Sequence, residues 1–374
     1  FSADTYSWAT PIGNTIAFTA GDSWYDQFLM KSTDNGTTWT KTKIWSSLYN
    51  KWVSTGPNDT TPIFFCPDGS NAIALDNEGK AHIAFGLLRA KGDNAGKYWY
   101  PFTDGLVYWN EDMDELPQPL DPDSLFSSGA LIGWVDDSSV FNAPVTELAY
   151  YYTSMTSQPT ITIDESDHIF VMWAGVLDYH DQNQFLLRHI FGRVSLDGGI
   201  PFYEDFYELS SNFLYTWSEC VYPSASPVSN YEKVFLVFQE DLDAGIYLNG
   251  NQGAQGQTSI TSNHILFLDP DKTDFIFWSG NNEKMDNKVL VSQNYPNPVQ
   301  NQCVVNANIK TSGILCLTVT SMTGQELYEI NKGYQAPGSH QFPIDATNLK
   351  PGLYYYTVRV GNYSVTKKMI VAGE

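Results

Sequence analysis

Asn348-Leu349-Lys350-Pro351-Gly352-Leu353-Tyr354-Tyr355-Tyr356-Thr357-Val358-Arg359-Val360 decides the fold class. Proline fixes φ and offers no N–H, and glycine tolerates positive φ, so the first five residues make a turn. The eight that follow are mostly aromatic or β-branched and read as a strand. The same grammar continues outward. Upstream, Val305, Ala307 and Ile309 alternate with Val304, Asn306 and Asn308, the period of a half-buried strand. Residues 310–313 turn, Leu315, Leu317 and Val319 repeat the period of two, and a short strand is expected over 326–330. Downstream, Gly361-Asn362 turns into a last strand over 364–371. Roughly seven short strands with no helical period predict an immunoglobulin-like β-sandwich.

Four motifs occur in order along this tail. They are Asn294-Tyr295-Pro296-Asn297-Pro298, Gly324 after a strand, Asn348 to Tyr354 as quoted, and Val365-Thr366-Lys367-Lys368-Met369-Ile370-Val371. In this order the tail resembles the type IX secretion C-terminal sorting domain, with Tyr295, Pro296, Asn297, Pro298, Gly324, Pro351, Gly352, Lys367 and Lys368 at motif positions. One departure is Ser321-Met322-Thr323-Gly324, where the family usually has an acidic residue. The resemblance implies a Bacteroidota-type bacterium, a leader already removed, and passage through periplasm and outer membrane by the type IX translocon. It also implies shuttle and sortase partners and a final place in the medium or on the outer cell surface. Strand addition at an edge of so small a sandwich would be one way to dock on a shuttle.

Charge divides the chain at the same place. The whole sequence has 20 Lys+Arg and 42 Asp+Glu; from Lys288 onward there are 7 and 4, which leaves 13 and 38 before it. The tail is therefore net +3 and the rest net −25. This predicts an acidic domain over 1–283, a polar linker over 284–290 and the sorting domain over 291–374. Strong negative charge repels phosphate, so nucleic acid and anionic membrane surfaces are excluded as partners. No stretch approaches the roughly 18–20 apolar residues that cross a bilayer, so membrane insertion is not expected.

The acidic part repeats. Strands are expected at Thr15-Ile16-Ala17-Phe18, His82-Ile83-Ala84-Phe85-Gly86, Ile169-Phe170-Val171-Met172-Trp173-Ala174-Gly175 and Val234-Phe235-Leu236-Val237-Phe238. The turns before them begin near Gly13, Asp76, Asp164 and Ser229, a spacing that predicts propeller blades. The widest gap, around 130–134, would hold an insertion or an extra degenerate blade. Ser32-Thr33-Asp34-Asn35-Gly36-Thr37-Thr38-Trp39 fits S-x-D-x-G-x-x-W, and Ser195-Leu196-Asp197-Gly198-Gly199-Ile200-Pro201-Phe202 repeats it with Phe for Trp. These octets resemble the Asp-boxes of sialidase-like propellers, where Asp accepts hydrogen bonds inside the turn, Gly takes positive φ and the aromatic packs between sheets. The expected fold is thus all-β: four clear blades of a propeller with about five to seven blades natively, then the sandwich. The native precursor is expected to extend ahead of Phe1.

Candidate chemistry is sparse. Sialidase chemistry requires three arginines, and this part has only Arg89, Arg188 and Arg193, the last two five apart and hence on opposite faces of one strand. A glycosidase needs two carboxylates; Asp68 and Glu219 fall at the starts of inner strands, where turn-forming or solvated roles compete. Cys66 and Cys220 would either form a disulfide or stay as two buried thiols. Cys303 and Cys316 are expected on opposite faces of neighbouring strands. Acidic runs such as residues 111–115, Asp121-Pro122-Asp123, Asp241-Leu242-Asp243 and Asp269-Pro270-Asp271 offer oxygens for Ca²⁺ without an EF-hand spacing. No other cofactor is expected. Tyr150-Tyr151-Tyr152 and the many tryptophans serve either blade packing or a ligand platform. The preferred reading is a surface or secreted propeller that binds glycan or protein without catalysis. The alternatives are a propeller glycoside hydrolase and a structural subunit of an extracellular assembly.

Overall fold

A computed structural model describes residues 5–135, 140, 147–149, 151–181, 184–203, 205–245, 263–277, 289–291, 294, 299–321, 325–361 and 363–371. The chain forms two compact units, Phe1–Gly280 and Asn281–Glu374.

The first unit is a succession of antiparallel meanders. The first sheet is β1 (Tyr6–Trp8), β2 (Ile16–Ala20), β3 (Gln27–Ser32) and β4 (Thr40–Trp45), in that order. The second holds β5 (Phe64–Leu75), β6 (Ala81–Asp93), β8 (Leu106–Asn110) and β9 (Leu131–Gly133), with β7 (Gly96–Tyr100) pairing the far half of β6. The third is β10 (Thr156–Ile163), β11 (Ile169–His180), β12 (Leu186–Ser195) and β13 (Tyr207–Glu208). The fourth is β14 (Glu219–Ala225), β15 (Leu236–Asp241) and β16 (His264–Leu268). Each sheet pairs its strands in chain order, which is the blade of a β-propeller.

The four strands that periodicity picks out fall on β2, β6, β11 and the start of β15, the second strand of every blade. It is an interior strand in every sheet, with a neighbour on both sides. The region 130–134 is not an extra blade. It contains β9, which pairs β8 and completes the second sheet. The wide spacing comes from the β6–β7 hairpin and a short helix, α1 (Pro122–Ser127), capped by Asp121.

Blades stack through three apolar layers. Ala17, Leu29 and Ile44 of the first sheet meet Ile73, Ile83 and Phe85 of the second. Tyr108 and Ile132 of the second join Val171 and Trp173 of the third. Phe170, Met172 and Ile190 join Val221, Leu236 and Phe238 of the fourth. Burying each such large side chain contributes about 1.5–3 kcal/mol. Cys66 lies in the first layer and Cys220 in the third, so the disulfide reading is corrected: both are free, buried thiols. Burial pushes both thiols well up from the ordinary range.

Both Asp-boxes occupy the turn after the third strand of a blade. Ser32 Oγ accepts from the Gly36 N–H (2.8 Å), and Asp34 accepts from the Thr38 N–H (2.8 Å), with Asn35 and Gly36 at positive φ. The Thr38 N–H and hydroxyl, with that of Ser32, hold the Asp34 carboxyl down at about 2. In the second box Ser195 Oγ accepts from Asp197 and Gly199 N–H groups.

The second unit is a two-sheet sandwich of β17 (Val289–Val291), β18 (Gln302–Ile309), β19 (Gly313–Ser321), β20 (Glu326–Gln335), β21 (Gly338–Asp345), β22 (Gly352–Val360) and β23 (Tyr363–Val371). The sheets run β17-β18-β21 and β20-β19-β22-β23. Val305, Ala307, Ile309, Leu315, Leu317 and Val319, the in-facing residues of the two alternating runs, are all in its core. The sandwich already starts at Val289, within the stretch read as linker, because β17 pairs β18. Cys303 and Cys316 are both free; Cys303 lies in the core and Cys316 alternates with core residues Leu315 and Leu317.

Candidate functional site

The inner strands of the blades are organised by a shared irregularity. β5, β10 and β14 each carry a register shift, at Pro67/Asn71, Ser157/Thr160 and Val221/Ser224. Each shift contains a residue at positive φ: Gly69, Gln158 and Tyr222. The two non-glycine positions cost on the order of 1–3 kcal/mol each and persist because neighbours over-determine them. The Tyr222 N–H donates to Gln158 Oε1 (2.9 Å), linking one bulge to the next. The bulges divide the inner surface into a buried polar cluster before them and an open groove after them.

The cluster contains both candidate carboxylates. Asp68 accepts from the Ser70 N–H (2.9 Å), the Ser154 N–H (3.1 Å) and the Ser157 hydroxyl (2.5 Å), so the second blade is bonded to the third. Glu219 accepts from the Tyr151 hydroxyl (2.6 Å) and the Arg188 N–H (2.5 Å), bonding the fourth blade to the third. Arg188 donates through Nη1 to the Ser154 and Met155 carbonyls, both at 3.0 Å. Its guanidinium lies 5.1 Å from the centroid of the Tyr151 ring. Burial pushes the Glu219 carboxyl up to about 7 against the pull of Arg188, and raises Asp68 as well. Neither carboxylate is solvated: Asp68 closes its local turn through the Ser70 N–H, and both join adjacent blades. Sequence reasoning named Asp68, Glu219, Arg188 and Tyr151 separately, did not bring them together, and missed Ser154 and Ser157. Tyr151 is buried in the layer between the third and fourth blades rather than serving as a platform, while Tyr152 is exposed and Tyr150 lies outside the described residues.

The groove has a volume of about 500 Å³ and is lined by Asn71–Leu75, Pro159–Ile163 and Pro223–Ala225 of the inner strands, with Ser7 and Trp8 of β1. Its wall is mostly backbone, hydroxyl and amide. The carboxylates among the described lining residues are Asp164 and Glu165, and Lys272 answers both, at 2.8 and 3.4 Å. The three arginines do not gather here. Arg89 donates to the Phe102 carbonyl, Arg188 is in the cluster, and Arg193 donates to the Tyr203 and Ile132 carbonyls on the opposite face of β12.

Elsewhere, two of the acidic runs are answered by lysines: Glu111 by Lys31, Asp112 by Lys80, Asp269 and Asp271 by Lys233; Asp121 caps α1, and Asp241 accepts from the Asp243 N–H. Among the described residues no three His, Cys, Asp or Glu side chains converge as a metal site. In the tail, Pro351 and Gly352 form the exposed turn into β22, and Lys367 and Lys368 lie on β23 opposite Tyr356 and Tyr355. Tyr295, Pro296, Asn297, Pro298 and Gly324 lie outside the described residues.

Together these observations define an all-β protein, a β-propeller followed by a sandwich. Residues 293–372 match the family described as the secretion system C-terminal sorting domain, and the tail is that domain. The chain is thus a cargo of the type IX secretion system, engages that machinery through its tail, and is delivered to the cell surface or medium. Among the described residues no helix is long and apolar enough to cross a membrane. No curated protein matches the chain. Among solved structures it is similar to a thermostable family-43 glycoside hydrolase, at 10% identity over 99% of this chain and 94% of that one, with a TM-score of 0.31. It is also similar to the exo-β-1,3-galactanase of Phanerochaete chrysosporium (9% identity, 92% and 90%, TM-score 0.24). A third resemblance is to Trypanosoma rangeli sialidase (8% identity, 97% and 53%, TM-score 0.27). With TM-scores under 0.5 these resemblances carry no argument; the propeller rests on the sheet order.

Proposed function

We propose that the propeller binds a neutral, hydroxyl-rich ligand, a glycan, in the groove below the bulges, and has no catalysis of its own. The observation that carries this is the division of labour along the inner strands. The groove has the volume of a small-molecule site and a wall of hydroxyls, amides and backbone groups. Asp68 and Glu219, the carboxylates a glycosidase would need, are instead buried and committed to bonds between blades. A glycan microarray probed with the full chain is expected to show selective binding that Ser224→Arg, which projects a long cation into the groove, reduces at least tenfold. The same glycans incubated with the protein should release no shorter products. Product release abolished by Glu219→Gln would establish the hydrolase reading instead.

The tail's finer partners belong to the same proposal. A shuttle and a sortase act on it, and the cut falls in the polar segment 281–288, ahead of β17. Mass spectrometry of the exported protein is expected to find a C-terminus within that segment. Recovery of only the full-length chain from the medium would exclude sortase removal.

A further inference from the structure

In a propeller each blade buries both faces, one against each neighbour. The second and third sheets do this: β6 is buried throughout residues 81–88, β8 throughout, and β11 throughout 169–176. The first and fourth sheets do not. In the first, Ala17, Leu29 and Ile44 face the second sheet at 0% exposure. The alternate residues of the same strands, Tyr6, Trp8, Phe18, Phe28 and Met30, lie on its other face in one register. There Trp8 is 58% exposed. In the fourth sheet Leu236 and Phe238 face the third, while Val237, Ile265 and Phe267 lie on the other face, with Phe267 61% exposed. Both ends of the array therefore present an apolar sheet face of the kind buried between every internal pair.

The Asp-boxes say what belongs on the first of these faces. Phe202, the aromatic of the third blade's box, reaches back to the preceding blade and packs edge-on against Tyr108, ring centroids 4.9 Å apart. Trp39 holds the same place in the first blade's box. It instead rests on Phe18 (5.7 Å) and Trp8 (6.3 Å) of its own sheet and is 38% exposed. Its position is that of a residue meant to meet a preceding blade. We propose that one or more further blades of the same polypeptide, ahead of Phe1, fill the space between the outward faces of the first and fourth sheets and close the ring. A single inserted stretch covers both faces, because the gap in a ring has two sides.

The tail-bearing protein from its native source, identified by peptides from residues 5–277 and 299–371, tests this by intact mass. It is expected to exceed the 42.0 kDa of the present chain by at least one blade, about 7 kDa for a repeat of roughly 65 residues. An excess no larger than a leader of about 15–30 residues would overturn the proposal. Light scattering on the 374-residue chain separates the other occupant, a second copy. The chain is expected to be a monomer whose nonspecific aggregation falls when Trp8→Glu and Phe267→Glu are combined. A discrete dimer that these substitutions dissociate would overturn the proposal in favour of self-association.

Discussion

Replacing Arg188 by methionine lowers the unfolding free energy of the propeller by about 3–5 kcal/mol, the usual cost of removing one member of a buried charged set. The side chain is fully buried, and its Nη1 is the donor for two carbonyls, those of Ser154 and Met155. Methionine fills much of the volume but takes the guanidinium donor from the Ser154 carbonyl in a dry site, at about 1–3 kcal/mol for a buried group so orphaned, while the Met155 carbonyl keeps only the Val176 N–H (3.1 Å). It also removes the positive charge that opposes the upward push of burial on Glu219. The loss is therefore expected to be larger at pH 8, where Glu219 is ionised, than at pH 5, where it is protonated. Urea titration of the propeller transition at the two pH values measures both quantities. Adding Glu219→Gln to Arg188→Met should recover part of the loss at pH 8. A change under about 1 kcal/mol, or one independent of pH, would mean that the cluster does not hold the blades as described.

The second large effect appears in the unsubstituted protein as a pH dependence. Glu219 sits at about 7 in the folded state against a reference of 4.5. A carboxyl raised in this way binds its proton more tightly folded than unfolded. Its contribution is thus complete below about pH 4.5 and is lost as pH rises through 7. The shift corresponds to about 3 kcal/mol. Burial raises Asp68 and Asp104 too, which adds the same sign. His82, lowered by burial, has the opposite sign and costs stability below its ordinary 6.5. The clean measurement is therefore a difference: stability of the wild-type chain minus that of Glu219→Gln, followed from pH 5 to pH 8. The difference is expected to fall by up to about 3 kcal/mol toward pH 8. Parallel curves would show that Glu219 does not titrate in this window.

What could be read from sequence follows from the range of the interactions involved. The blade strands were legible because β2, β6, β11 and β15 lie inside their sheets and carry apolar runs visible within a few residues. The Asp-box turns were legible because their hydrogen bonds join residues two to four apart. The sandwich core was legible in the alternation of Val305 to Ile309 and Leu315 to Val319. β21 was not, because Ser339, His340, Gln341 and Pro343 hide its two inward residues, Phe342 and Ile344. The cluster around Glu219 was illegible for a different reason: Tyr151 reaches it across 68 residues and Arg188 across 31, and no local pattern encodes such pairs. A signal for the bulges did exist. Gln158-Pro159 and Tyr222-Pro223 each place a proline in mid-strand, where it cannot donate to the ladder.

The central claim is that the groove below the bulges is the working site and the buried carboxylates above it are structural. Calorimetric titration of the full chain with the strongest glycan from the array tests this most directly, using wild type, Ser224→Arg and Glu219→Gln at pH 5.5. At that pH Glu219 is protonated and the Gln variant remains folded. The expected result is one site per chain, affinity reduced at least tenfold by Ser224→Arg and changed less than twofold by Glu219→Gln, with the glycan recovered intact. Heat from turnover that Glu219→Gln removes and Ser224→Arg spares would contradict it, and would move the working site up into the cluster.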